Sequence, residues 1–278
     1  MPDRSLEELA AAAVAGDAAA LEAVLAGVRD DVYGLALRML WDPQDAADAT
    51  QDILIKVMTR LETFRAEAAL RTWVFRIAAN HLLTVRRSRV ERQELSFQAF
   101  AADLAEGLAD PPERGDVDLD LLAEEVKLGC TLAMLTCLDR EHRLAFVLGS
   151  VFGLPGAEAA VVCEVPPQVY RKRLSRARAR IRTFLQDNCG LVTAAAACSC
   201  RRRISVATTS GRVDPERLLF VTAPRSALAP AVRQMEDLHT TAAVFATRPA
   251  FAAPTQVVEQ LRAIVASGRY PILTSERL

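Results

Sequence analysis

The chain has 278 residues, 34 Lys and Arg against 35 Asp and Glu, and 51% hydrophobic content of which little is aromatic. That length implies two or three compact units, and the absence of a run of about 18 uncharged apolar residues excludes a membrane span. Acids within the N-terminal apolar stretch speak against a signal peptide, and cysteines at 130, 137, 163, 189, 198 and 200 do not form a secreted disulfide framework. A soluble, cytoplasmic protein is expected.

Leu21 to Leu40 follows a helical pattern that stops at Trp41-Asp42-Pro43. Asp45 suits an N-cap, and Ala46 to Phe64 predicts an amphipathic helix with Ile53, Leu54, Val57, Met58 and Leu61 on one side. A loop from Arg65 to Leu70 leads to a third helix, from Arg71 to about Arg92. Between Ala68 and Val90 stand Arg71, Arg76, Arg86, Arg87 and Arg89 with no acid, which makes a basic surface. The sign then reverses. Asp103 to Glu125 holds nine acids and one arginine around Pro111-Pro112 and Gly115, and predicts an extended or mobile linker. Helical periodicity resumes from Leu121 to Leu138 and again from Asp139 to Phe152.

Val165 to Gln186 is the most informative stretch, with seven Lys or Arg and no acid. Proline opens it and a narrow apolar stripe runs through it, so it predicts a helix with a wide cationic face. Leu154 to Val162 reads as a short helix ahead of it, with Cys163 to Val165 as the turn. Helix, turn and basic helix make the plan of a helix-turn-helix, whose second helix enters the major groove. A merely solvated surface helix is the alternative. Gly190 is the expected stop. Beyond it, helices are expected near Ala227–Ala246 and Gln256–Ser267. Cys189, Cys198 and Cys200 would offer thiolates to a soft metal, Zn²⁺ or Cu(I), with His239 or another cysteine as fourth ligand. Structural or incidental cysteines are the alternative there, and Cys130, Cys137 and Cys163 read as core residues.

Two basic helical units joined by an acidic segment resemble the extracytoplasmic-function (ECF) sigma factors, which direct bacterial core RNA polymerase to promoters. The resemblance covers roughly residues 20–188. It rests first on Asp45, Asp48, Gln51, Phe64, Arg65, Thr72, Trp73, Ile77, Ala78 and Asn80, and second on Glu158, Ala160, Arg173, Leu174, Arg176, Ala177 and Arg178. The chain departs from the family at Glu164, where glycine usually makes the turn, and at Thr84, where an aspartate is usual.

The resemblance implies an all-α fold. A region 2-like domain (residues 1–92) would bind core polymerase and the −10 element, and a linker (93–120) would lead to a region 4-like helix-turn-helix domain (121–188) for the −35 element. Residues 189–278 would be an added, regulatory segment that masks the basic helix or fixes the two domains relative to each other. On this view Asp48, Gln51 and Asp52 face polymerase. Phe64, Arg65, Arg71, Arg76, Asn80, Arg86 and Arg87 serve the −10 element, with the loop after Phe64 holding an unstacked base. Trp73 and Tyr170 read as packing residues. Gln168, Val169, Arg171, Lys172, Arg173 and Arg176 serve the −35 element. Core polymerase and promoter DNA are the implied partners, with an anti-sigma factor as a further candidate. No cofactor is required, and the cysteines alone suggest a metal. A polymerase-independent helix-turn-helix regulator is the rival reading. It has no need of a second basic unit. An enzyme is set aside, because His81, His142 and His239 are scattered and no hydrolase or nucleotide-binding spacing occurs.

Overall fold

The computed structural model describes residues 4–86, 95–108, 119–221 and 251–266. Within them the chain is all α-helical, and the only bridges are the isolated pairs Cys189–Cys198 and Asp214–Arg217. The expected helix at Ala227–Ala246, with His239, and the site candidate Arg87 lie outside the described residues.

The first half is a bundle of four helices. α1 (Leu6–Val14) starts at a capping box between Ser5 and Glu8. α2 (Ala18–Leu40) is buried on every side from Val32 to Leu40, as befits a helix apolar all round, and it forms the centre of the molecule. Trp41 then takes a left-handed conformation at φ 55°. α3 (Pro43–Arg60) is capped by Asp42, whose carboxylate accepts from the Gln44 and Asp45 N–H groups at 2.9 Å. The expected cap, Asp45, lies inside the first turn, because Pro43 at the first helical position needs no N–H partner. α3 ends in a 3₁₀ turn at Leu61–Thr63.

α4 (Leu70–Thr84) stops short of the expected Arg92. Arg140, from the second half of the chain, donates to the carbonyls of Leu82, Leu83 and Val85 at 3.1, 3.3 and 2.6 Å and so terminates the helix.

The segment expected to be extended contains α5 (Phe97–Ala105), whose Phe100 and Leu104 are buried. Phe100 stacks on Phe184 at 5.3 Å with rings nearly parallel. The acids begin only at Asp103, and the apolar residues before them carry the helix. α6 (Leu119–Thr136) and α7 (Arg140–Phe146) follow, the latter continued by a π turn at Val147–Val151. α8 (Gly156–Val162) and α9 (Pro167–Asn188) come next, then α10 (Cys200–Thr209) and α11 (Thr255–Ala266).

The two halves share one core. Phe152 sits at the junction: its ring meets Phe75 of α4 at 5.0 Å, and the Arg38 and Arg71 guanidiniums lie over it at 5.8 Å each. Arg143, 3% exposed, donates to the carbonyls of Leu135, Thr136 and Leu138, and also to that of Met39 in α2. A small second core (Leu122, Ile204, Ala207, Val213) seats α10 on α6. No helix among the described residues is long and apolar enough to cross a membrane.

Candidate nucleic-acid interface

The predicted helix-turn-helix is present as α8, a turn at Cys163–Pro166, and α9. Glu164 occupies the turn at φ 51°, the left-handed conformation that suits glycine. Tyr170, Ala177, Ile181, Phe184 and Leu185 form the buried stripe of α9. Tyr170 is fully buried and its hydroxyl donates to the Ala145 carbonyl at 3.2 Å. Gly149 makes room for this, since a Cβ there would lie 2.5 Å from that hydroxyl.

On the other side of α9, Gln168, Val169, Arg171, Lys172 and Arg176 are all exposed. Gln168, Arg171, Lys172, Ser175 and Arg176 line one surface groove. This concentrates positive charge and hydrogen-bond donors on the first three turns, the part of a recognition helix that reaches base edges. Arg173 faces elsewhere. It pairs with Glu141 of α7 at 2.6 Å. Arg178 is likewise held, by Ser150 Oγ at 2.9 Å and the Gly149 carbonyl at 3.2 Å.

The second basic surface is a pocket of about 310 Å³ between α3 and α4, lined among others by Lys56, Arg60, Trp73, Arg76, Asn80 and His81. Phe64 packs on Trp73 with ring centres 5.7 Å apart, behind the part of Trp73 that lines the pocket. Trp73 is half-buried and packs against the shared core. Arg65 and Arg86 are exposed. Arg71 does not belong to this surface: it pairs bidentately with Asp31 at 2.6 and 2.9 Å and covers the Phe75 ring.

Lys56 and His81 were not singled out in the sequence. The His81 Nδ1 lies 2.6 Å from the Lys56 ammonium. Burial, then the Lys56 charge, holds the imidazole below its ordinary pKa, with Asp52 opposing. Their spacing, 25 residues apart on two helices, leaves no local signal.

Glu164 of the helix-turn-helix lines this same pocket, and Glu158 of α8 accepts from Thr72 Oγ1 of α4 at 3.2 Å. The second domain thus places one carboxylate, Glu164, in the lining of the first domain's cationic pocket, and a second, Glu158, on Thr72 of α4.

On α3, Asp48 and Asp52 are exposed and Gln51 half-buried, along one polar edge of the helix. The Gln44 side chain donates to Asp48 at 3.1 Å.

Residues 189–221 run back over α5 and α6. Arg203 donates to the carbonyls of Asp103 and Glu106, and with Arg212 it grips the Asp103 carboxylate. The paired arginines hold that carboxyl below its usual range despite burial, the Arg212 hydrogen bond contributing most. Glu125, 2% exposed, accepts from the N–H groups of Leu219, Phe220 and Val221. Further on, Phe251 lies against the Arg38 guanidinium at 4.6 Å, and the Ala253 N–H donates to Asp30 at 3.1 Å. α11 packs along α3.

Cys189, Cys198 and Cys200 line one cavity, and Cys130 of α6, expected to be a core residue, lines it with them. All four are free thiols. Burial raises each above its ordinary pKa, that of Cys200 to about 12.

Comparison with known proteins gives two family matches: sigma-70 region 2 over residues 26–92, and sigma-70 region 4 over residues 128–181. The chain is 32% identical over 180 residues to the ECF RNA polymerase sigma factor SigC of Mycobacterium tuberculosis, covering 63% of this chain and 89% of that one. It is 30% identical over 179 residues to the RNA polymerase sigma-H factor of Pseudomonas aeruginosa, covering 62% and 89%. The structure of CnrH in complex with the cytosolic domain of CnrY superposes with a TM-score of 0.47 at 23% identity, covering 64% of this chain and 95% of that one.

Proposed function

The chain belongs to the ECF family of RNA polymerase sigma factors, and from that premise we propose how its surfaces divide the work. It is a transcription initiation factor, whose partners are core RNA polymerase and promoter DNA. The exposed cationic first turns of α9 carry the proposal for the −35 element. Gln168, Arg171, Lys172 and Arg176 read base edges and phosphates there, with Val169 beside them, while Arg173 positions α9 through Glu141. Arg76 and Asn80, at the rim of the α3–α4 pocket, serve the −10 element together with Phe64, Arg65 and Arg86. Arg71 supports that surface from behind through Asp31. Asp48, Gln51 and Asp52 face polymerase.

The residues after α9 regulate in cis by fixing the two domains relative to each other. Among the described residues the tail leaves the groove-reading face of the basic helix exposed. The tail instead binds α5 and α6 through Arg203, Arg212 and Glu125, and binds α2 and α3 through Phe251, Ala253 and α11. In the arrangement it holds, Glu164 sits in the lining of the pocket that must receive melted DNA. Promoter opening therefore requires the domains to part.

Run-off transcription with bacterial core polymerase on a promoter library tests both levels. Transcripts must depend on the added chain, and Arg171→Ala must reduce them. A chain ending at Val221, which keeps α10 and the Glu125 contacts, is expected to give more transcript than the full chain. Equal output from the two would count against regulation by the tail. No transcript from either, despite sequence-specific duplex binding, would favour the polymerase-independent regulator.

A further inference from the structure

Four of the six cysteines converge from three separate places in the chain. Cys130 lies within α6, Cys189 caps the C-terminus of α9, and Cys198 and Cys200 lead into α10. All four line one cavity of about 430 Å³. The convergence is built into the backbone. The Gly190 N–H donates to the Cys198 carbonyl at 2.9 Å, closing the 189–198 loop. Gly190 is required for that approach, since a Cβ would stand 2.3 Å from the same oxygen. Cys200 follows at the first position of α10, and the packing of α10 on α6 brings Cys130 to the group.

We propose that Cys130, Cys189, Cys198 and Cys200 form one tetrahedral thiolate site for a soft divalent cation, Zn²⁺, joining the helix-turn-helix domain to the tail. Four sulfurs complete the donor set that the three tail cysteines leave one short. Zn²⁺ with four thiolates carries two negative charges, and the Lys127–Glu124 and Arg203–Asp103 ion pairs stand near the cysteines. The Val192 and Thr193 N–H groups donate to the Cys189 carbonyl at 3.0 and 2.9 Å, which fixes the backbone that carries this ligand. Arg202, next to Cys198, has a buried Nε–H with no hydrogen-bond partner. Binding replaces four S–H bonds by four S–Zn bonds and releases four protons to solvent, so no oxidant or reductant is needed. Among the described residues no three ligand side chains already stand as a metal-binding group. Binding therefore requires the four side chains to rearrange around the ion.

The binding test is independent of the transcriptional reading. Reduced, chelator-treated full-length chain is titrated with Zn²⁺ against a chromophoric chelator, and with Co²⁺ for its thiolate charge-transfer band. One ion per chain and a four-thiolate spectrum are expected. Outer partners of a ligand alone are worth about 10- to 100-fold in affinity, so Cys130→Ser and Cys198→Ser should each weaken zinc by at least about 100-fold. Cys163→Ser should leave it unchanged. Alkylation of the unmutated chain provides a check free of folding defects: zinc should protect Cys130, Cys189, Cys198 and Cys200 and leave Cys163 reactive. The proposal is overturned by absence of stoichiometric binding, by full affinity in Cys130→Ser, or by a disulfide among these four in chain that takes up no zinc.

Discussion

The two cationic surfaces of this molecule are built from similar residues and left in opposite states. On α9 the groove-reading side chains stand in solvent, while the inner face is locked by Tyr170, Phe184 and the Arg173–Glu141 pair. On α4 one arginine is spent on Asp31, and the pocket beside Asn80 is lined by a carboxylate from the other domain. Duplex DNA can approach the first surface as it stands. On the proposed division of work, the second has Glu164 of the other half in its lining and is freed of it when the halves separate.

The largest effect is expected where the halves are joined. Arg143 satisfies four carbonyls, one of them on α2. Replacement by methionine keeps the packing and removes the donors. Buried carbonyls left without partners cost roughly 1–3 kcal/mol each, so Arg143→Met should destabilise the chain by about 3 kcal/mol or more in urea unfolding. A loss below about 1 kcal/mol would show that the junction is held by Phe152 and its neighbours instead.

Next in size is the contrast within α9. Arg171→Ala should weaken binding to a −35 duplex by about 1–3 kcal/mol and leave the unfolding midpoint unchanged. Arg173→Ala should do the reverse: a measurable loss of stability, limited by the exposure of Glu141, with a smaller effect on DNA. Equal losses of affinity in the two variants would break the division of α9 into an outer and an inner face.

Glu164 sharpens the comparison at about 1 kcal/mol. A non-glycine residue at φ 51° is strained by roughly that amount, so Glu164→Gly should raise the unfolding temperature. Glu164→Ala keeps the strain and removes the carboxylate. If the carboxylate guards the α3–α4 pocket, both variants should bind single-stranded −10 DNA more tightly than the unmutated chain. If only the glycine variant differs, and only in stability, Glu164 is a turn residue and nothing more.

Much of this was legible in the sequence where the cause is local. The basic helix announces itself by seven cations without an acid, and the turn by its place between the Leu154–Val162 pattern and the prolines that open that helix. Three misses share a different cause, which is long-range contact. α4 stops early because Arg140, far along the chain, caps it. α5 forms within a segment whose acid count suggested a tether, because Phe97, Phe100 and Leu104 find Phe184 and the shared core. Arg71, read as a DNA contact from its charge, and Arg173, read so from its charge and the resemblance, each have a carboxylate partner on another helix that no local pattern showed. The tail offers a clue that only pairing makes readable: the arginines at 203 and 212 answer the acid at 103.

The smallest effect expected lies in the α3–α4 pocket itself and is read through pH. His81 is 9% exposed, stands between Lys56 and Asp52, and has its pKa held below the ordinary 6.5. The unfolded chain therefore takes up a proton on this residue at a higher pH than the folded chain does. Stability from the neutral imidazole is fully present above the unfolded pKa, and is lost as pH falls from there toward the folded value. His81→Gln, which keeps an acceptor for Lys56, should flatten that part of the stability–pH curve while leaving the limb controlled by Asp103 at lower pH. Denaturant unfolding at a series of pH values, taken as the difference between variant and unmutated chain, isolates the term from other titrating groups. A difference independent of pH would mean that Lys56 turns away to solvent as readily as the imidazole protonates. The pocket would then be pliable, and its cations free to follow a phosphate. A difference that grows below the ordinary histidine pKa would mean that Lys56 and His81 are held at fixed positions, so that the site is shaped before DNA arrives.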